Sequence, residues 1–294
     1  MANNLFITAT EARSGKSVIS LGVMEMLLRK IDKVSFFRPI ITAEPGQTDP
    51  DQDIALMASH FNLGIPYERM YGSTDAEAST LLSLGKDAEL LEGIIQKYRW
   101  LEAHSEFILC EGTDFASSTA AFEFDINAEI SCNLGSPVLL VASASHKTID
   151  DTVRSIELAL ESLKEKGCQI VATIVNRPAL SDRDAIITRL NAWEVAKDQA
   201  VYAIPEEAVL GKPTVGEIAR LIGAEVLYGA DQLHRLVYNF TVAAMQLRNF
   251  LTRIDHSSLI ITPGDRADVI VACLAIVSST SMHNTISGLL LTGG

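Results

Sequence analysis

Short apolar runs alternate with helical patterns along most of the chain, and this alternation limits the fold more than any other feature. LFITA (5–9), KVSFF (33–37), EFILC (106–110), PVLLVAS (137–143), QIVATIVN (169–176) and AVYAI (200–204) each read as a strand with little polar interruption. Between them, KSVISLGVMEMLLRK (16–30) sets Ile19, Val23, Met26 and Leu27 on one helical face. Further helical stretches run from about 51 to 61, from about 87 to 104, and from about 148 to 166, where Gly167 stops the last. A strand without a polar face is buried on both sides, and strands joined through helices run parallel. The expected fold class is therefore α/β, with a mostly parallel sheet covered by helices on both faces.

At 294 residues the chain is long enough for two domains of about 150 residues. PEEAVLGKP (205–213), with two prolines and a glycine, reads as the boundary, giving domains over 1–210 and 211–294. Thr214 and Glu217 have the spacing of a capping box before IARLIG. The second domain reads as a smaller α/β unit. Its strands are AEVLY, RLVYNFTVA, SLIIT and SGLLLT, and its helices lie near 245–252 and from Asp265 to about Val277. SGLLLT runs into Gly293-Gly294. A buried strand ordinarily continues into a turn and a covering helix, so this domain is expected to be truncated here and to continue beyond Gly294.

The net charge of −13 argues against nucleic-acid and anionic-membrane partners, which call for a basic face. Any phosphate site must create its own local positive field. No apolar run reaches the ~18 residues of a membrane span, and the N-terminus lacks the basic and apolar segments of a signal peptide. Cys110, Cys132, Cys168 and Cys273 form no C-x-x-C pair and sit in apolar stretches. Buried free thiols in a cytoplasmic protein are expected.

The chemistry concentrates in TATEARSGKS (8–17), between the first strand and the first helix. A small-residue loop ending in Gly15-Lys16-Ser17 in that context is a candidate phosphate-binding loop. Its backbone N–H groups, from Thr10 through Arg13 and Ser14, and the helix N-terminus would face phosphate oxygens. Lys16 would neutralise phosphate charge, and Ser17 would ligate Mg²⁺. Thr10 stands where such a loop usually has its leading glycine, and a chance strand-to-helix turn is the competing reading. Glu111, after the apolar run FILC, is a candidate metal ligand or a solvated strand-end carboxylate. Asp53 is a second candidate ligand, although it and Asp51 also suit helix capping. Arg38 leaves strand two before Pro39, either to reach an anion or as a surface arginine. Asn176 ends strand five, where it reads a base edge or starts a turn. Glu11 would repel phosphate and Arg13 attract it. The histidines, among them His104, His146, His234, His256 and His283, show no metal-ligand spacing. Asp265 reads as a helix cap, and Arg266 as a surface or interface group.

TATEARSGKS, FFRPI, CEGTD and IVNRP occur in the order seen in dethiobiotin synthetase and related P-loop ATPases, and the first domain resembles that family. The resemblance implies that Lys16 and Ser17 hold phosphate and Mg²⁺, that Arg38-Pro39 lines the site in place of lysine-proline, that Glu111 helps bind the metal, and that Asn176 reads adenine. Glu11 stands where related partition ATPases keep a signature lysine. The second domain resembles the one named for an Asp-Arg-Thr-Gly-Gly signature, which departs here to Asp265-Arg266-Ala267-Asp268. The two in series resemble the N-terminal part of the long form of phosphate acetyltransferase.

That resemblance implies a regulatory segment that senses ATP or another nucleotide with Mg²⁺, or an anionic effector, and helps assemble a homo-oligomer. The acyl-transfer domain would lie outside this chain. Two other functions fit the same residues: a stand-alone ATP- and Mg-dependent ligase of the dethiobiotin synthetase type, and an interaction module that does no chemistry.

Overall fold

The computed structural model describes residues 3–42, 50–113, 120–193, 199–207, 209–278 and 286–293. The chain divides into two compact units, Met1–Glu206 and Glu207–Gly294. His283, Gly294, Asp114 of the CEGTD motif and residues 43–49 lie outside the described residues.

In the first unit β1 (Asn3–Ala9) leads through the glycine-lysine-serine loop into α1 (Lys16–Leu28). β2 (Val34–Ile41), α2 (Gln52–Phe61), β3 (Tyr71–Thr74), α3 (Asp75–Ser83) and α4 (Asp87–His104) follow. Next come β4 (Phe107–Glu111), α5 (Ala120–Asn133), β5 (Val138–Ser143), α6 (Ile149–Glu165), β6 (Ile170–Asn176), α7 (Arg183–Ala192) and β7 (Ala200–Ile204). The strands form one sheet in the order β3-β2-β4-β1-β5-β6-β7, and every neighbouring pair is parallel.

Side chains alternate across this sheet as the period of two requires. Ile7, Phe36, Leu109, Leu139 and Val141 face one side, under Ile19 and Met24 of α1 and Ile54 and Met57 of α2. Phe6, Phe37, Ile108 and Cys110 face the other, under α3, α4 and α5. Val138, Leu140, Ala142 and Val175 meet α6 and α7. Helices thus cover both faces of a mostly parallel sheet.

Two departures from the sequence reading fall in this unit. β2 does not end at Phe37 but continues through Arg38 and Pro39 to Ile41. Proline is tolerated there because β2 changes neighbours: residues 34–37 pair with β4, and residues 38–41 pair with β3. At Pro39 the strand is therefore paired on one side only, and a missing N–H leaves no gap in a ladder. β3 and α3 carry no comparable sequence signal, since YGST is short and polar.

In the second unit α8 (Val215–Leu221), β8 (Asn239–Val242), α9 (Leu247–Leu251), β9 (Ser258–Pro263), α10 (Ala267–Ser278) and β10 (Ile286–Thr292) build a parallel sheet in the order β10-β9-β8. Thr214 and Glu217 form the expected capping box. AEVLY (224–228) is not a strand: it follows α8 as irregular backbone that ends at Gly229, with φ of 74°. RLVYNFTVA narrows to β8, because its first half bonds elsewhere. Arg235 O accepts from Val215 N, and Val237 N donates to Pro213 O.

α4 approaches β3 closely over Gly72. A Cβ there would lie 2.4 Å from the Pro39 carbonyl oxygen and 2.8 Å from Ile94. Gly93, in the middle of α4, has open space around it. Gly72→Ala is expected to lower the unfolding free energy by about 1–3 kcal/mol, the range for overpacking. Gly93→Ala is expected to raise it by about 0.5–1 kcal/mol through helix propensity. Urea unfolding of the two variants checks both signs.

Candidate functional site

Parallel strands deliver their C-terminal ends to one edge, and the candidate residues collect where β1, β2, β4 and β6 end. The loop after β1 is anchored by Thr10 N, which donates to Val141 O of β5 (3.0 Å). Arg13 and Gly15 both take left-handed backbone, with φ of 57° and 88°. Gly15 is required twice over: a Cβ there would be strained at that φ, and it would lie 2.2 Å from Asn176 Nδ2. α1 then starts with no side-chain cap and no acidic residue in its first turn. Its N-terminal N–H groups and the positive end of its dipole are left for an anion. Ser14 and Lys16 are buried beneath this loop.

A charged cluster lies beside the loop. Ser17 Oγ donates to Glu111 Oε1 (3.0 Å). Glu111 is fully buried, and burial pushes its pKa up against the pull of Arg38 and Lys16. Arg38 is buried too, which settles its alternatives against a surface arginine. Its Nη1 donates to both oxygens of Asp51 (2.9 and 2.7 Å) and to Asp53 Oδ2 (2.9 Å). Burial opposes the Arg38 charge, but Glu111, Asp51 and Asp53 together outweigh it, and its pKa is raised. Asp51 also caps α2 by accepting from Ile54 N. Ser17, Glu111, Arg38 and Asp53 therefore form one electrostatic group, in which Asp53 is already engaged by Arg38.

The loop is braced from β6. Asn176 Nδ2 donates to Ser14 O (2.8 Å), and Arg177 Nη2 donates to Arg13 O (2.6 Å) and Ser143 Oγ (3.1 Å). Glu11 forms an ion pair with Lys147, so its charge is balanced from the loop after β5. Lys147, Arg177 and Ser143 did not stand out in the sequence; their only signal was their place at or shortly after the ends of apolar strands. A cavity of about 160 Å³ opens beside this bracing, lined by Ala144, His146, Arg177, Pro178, Asp182 and Glu206 among others.

The buried polar atoms test whether a phosphate and a cation fit here. Among the described residues ten buried side-chain atoms lack a hydrogen-bond partner. Five of them belong to Thr8, Thr10, Ser14, Arg38 and Arg177, on or beside the loop, and two more, Ser20 Oγ and Glu111 Oε2, lie within reach of each other. Buried polar groups are rarely left unsatisfied, and here hydroxyls, guanidinium N–H groups and a carboxylate oxygen converge at an uncapped helix start. That set suits an oxyanion with a hard, oxygen-liganded cation. No group of three or more His, Cys, Asp or Glu assembles around a metal position among the described residues. A cation here would thus rest on Ser17 and one or two carboxylates, with ligand oxygens completing its shell.

Other expectations resolve elsewhere. All four cysteines are free; Cys110, Cys168 and Cys273 are buried, whereas Cys132 is only half-buried, with its Sγ 2.7 Å from that of Cys168. Arg266 donates to Ala243 O and Met245 O and pairs with Asp268, holding together the loops that flank β8 and β9. No described helix is long and apolar enough to cross a membrane.

The family model "AAA domain" matches residues 3–219, and the "DRTGG domain" model matches residues 217–294. A phosphate acetyltransferase of Nitratidesulfovibrio vulgaris is 46% identical over 100% of this chain and 42% of its own length. A phosphate acetyltransferase of Synechocystis is 36% identical over 99% of this chain and 42% of its own length. One of Pseudomonas putida is 27% identical over 98% and 41%. The chain thus spans about two fifths of the length of the curated relatives it matches.

The raised pKa of Glu111 has a definite consequence for stability. Between the ordinary value of 4.5 and the raised one, the native state keeps a proton that the unfolded state releases. The contribution is therefore full below pH 4.5 and is lost as pH rises through the folded value. Glu111→Gln is neutral throughout and is expected to flatten this fall. Urea midpoints across that window should decline less in the variant; equal slopes in both proteins would show that Glu111 is not the source.

Proposed function

This chain belongs to the AAA domain family, and from that premise we propose that it is the nucleotide-sensing, regulatory N-terminal portion of a phosphate acetyltransferase. The parent enzyme would interconvert acetyl-CoA and phosphate with acetyl phosphate and CoA. Acyl transfer would belong to a domain outside this chain. Residues 1–210 would form the nucleotide-binding domain and residues 211–294 the DRTGG-like one. In this reading the protein is a cytoplasmic homo-oligomer whose ligand is a small nucleotide or a related anion.

The observation that carries the nucleotide part is the concentration of partnerless buried polar atoms around Gly15-Lys16-Ser17 and Glu111. The loop from Thr10 through Arg13 and Ser14 to Gly15 would offer its N–H groups to phosphate. Lys16 would add charge, Ser17 and Glu111 would take Mg²⁺, and Asp53 would join them by releasing Arg38. Arg38 would then be free to approach the anion. Asn176 fixes the loop through Ser14 and keeps its carbonyl oxygen as an acceptor for a base. A bound Mg-nucleotide would supply phosphoanhydride chemistry, but the family resemblance places no acceptor site for the group transferred. We therefore read the site as one that binds without turnover. Glu11 is held by Lys147, which offsets the one acidic charge within the loop and so favours an anion there.

Calorimetry with ATP and Mg²⁺ tests the proposal. Lys16→Ala is expected to weaken binding by about 1.5–3 kcal/mol, the range for a hydrogen bond to a charged group. Unchanged affinity would remove the loop from the site, and steady ADP release from the purified chain would replace sensing with catalysis.

A further inference from the structure

A groove of about 540 Å³ lies at the β3 edge of the sheet, between β3, α3 and α4, and shares no residue with the loop site. Its floor is apolar, with Leu90 and Ile94 at the base and Trp100 along one wall. Two cations border it, and each rests on an aromatic face. The Arg69 guanidinium lies 5.0 Å from the centre of the Trp100 ring, and Lys97 Nζ lies 4.3 Å from that of Tyr71. Neither forms an ion pair among the described residues.

The two carboxylates that line the groove have bonding partners of their own, although Glu77 also lies in the field of Lys97. Glu77 accepts from Thr74 N (3.2 Å) and Ser73 Oγ (3.1 Å) in the capping box of α3. Glu89 pairs with Lys86 (2.8 Å). Arg69 and Lys97 thus line the groove with Glu77 and Glu89, and Lys86, outside the lining, balances Glu89. A cation–π contact anchors a cation without neutralising it. Burial lowers the pKa of Lys97 and the neighbouring Arg69 charge adds to this, against the pull of the Glu77 carboxylate.

We propose that this groove is a second ligand site, for a small anion bearing at least two negative charges as phosphate or carboxylate. Arg69 and Lys97 grip the charged groups, and the Trp100 wall and the apolar floor take the rest of the ligand. The site does not depend on the reading of the loop, because no residue is shared.

The test is calorimetric titration of the full 294-residue chain with inorganic phosphate and, separately, with succinate. Saturable binding of at least one is expected; phosphate alone would mark a phosphoryl ligand, and succinate alone a dicarboxylate. Arg69→Gln and Lys97→Gln should each weaken it about tenfold or more, as loss of a charge-assisted hydrogen bond does. Lys97→Arg should restore most of the affinity, and Lys16→Ala should leave it intact. Bound anion should also shift the emission of Trp100 and lose that signal in Trp100→Phe. No saturable binding of either probe would overturn the proposal. So would binding that survives both glutamine substitutions, or binding that Lys16→Ala abolishes, which would place the anion on the loop.

Discussion

The Glu111 carboxylate is the constraint around which the first unit is organised. A fully buried carboxylate is costly unless cations and hydrogen bonds surround it. Here β4 delivers it, Ser17 bonds it from α1, and Arg38 and Lys16 set their charges against it from β2 and the loop. Arg38 in turn is held by Asp51 and Asp53 at the start of α2. One buried anion thus ties together two strands and two helices. The raised pKa of Glu111 shows that the cations present do not fully offset its burial. A carboxylate so placed gains from one more positive neighbour.

The loop itself is shaped from outside its own sequence. Asn176 and Arg177 hold the carbonyls of Ser14 and Arg13, and Lys147 holds Glu11. With carbonyls drawn outward to β6, the N–H groups of the loop are left for the interior, where an anion would sit. Thr10 in place of a leading glycine is compatible with this, because its own N–H is anchored to β5.

Much of the sheet was legible because strands buried on both faces leave uninterrupted apolar runs: β1, β4, β5, β6 and β7 all read directly. α1, α2, α4 and α6 were visible from periodicity and from stops such as Gly167. β3 was not, because four residues with Gly72 and Ser73 carry no apolar signal and owe their conformation to β2 and α4. AEVLY misled for the opposite reason: its apolar content has no strand beside it. At the site, the sequence placed Lys16, Ser17, Arg38, Glu111 and Asn176 at strand ends, but not their partners. The Arg38 bonds to Asp51 and Asp53, the Asn176 bond to Ser14 and the Lys147 pair with Glu11 follow from side-chain geometry, and the last two join residues more than a hundred positions apart.

The change of partner along β2 has a mechanical meaning. Arg38 stands in register with Tyr71, the first residue of β3, and the ring of Tyr71 lies under Lys97. The guanidinium that answers to Glu111 and the ammonium at the outer groove are therefore two backbone-paired residues and one ring apart. The Gly72 contact with Pro39 and Ile94 leaves no slack between these strands and α4. A side chain larger than glycine at position 72 would therefore disturb the backbone that carries both Arg38 and Tyr71.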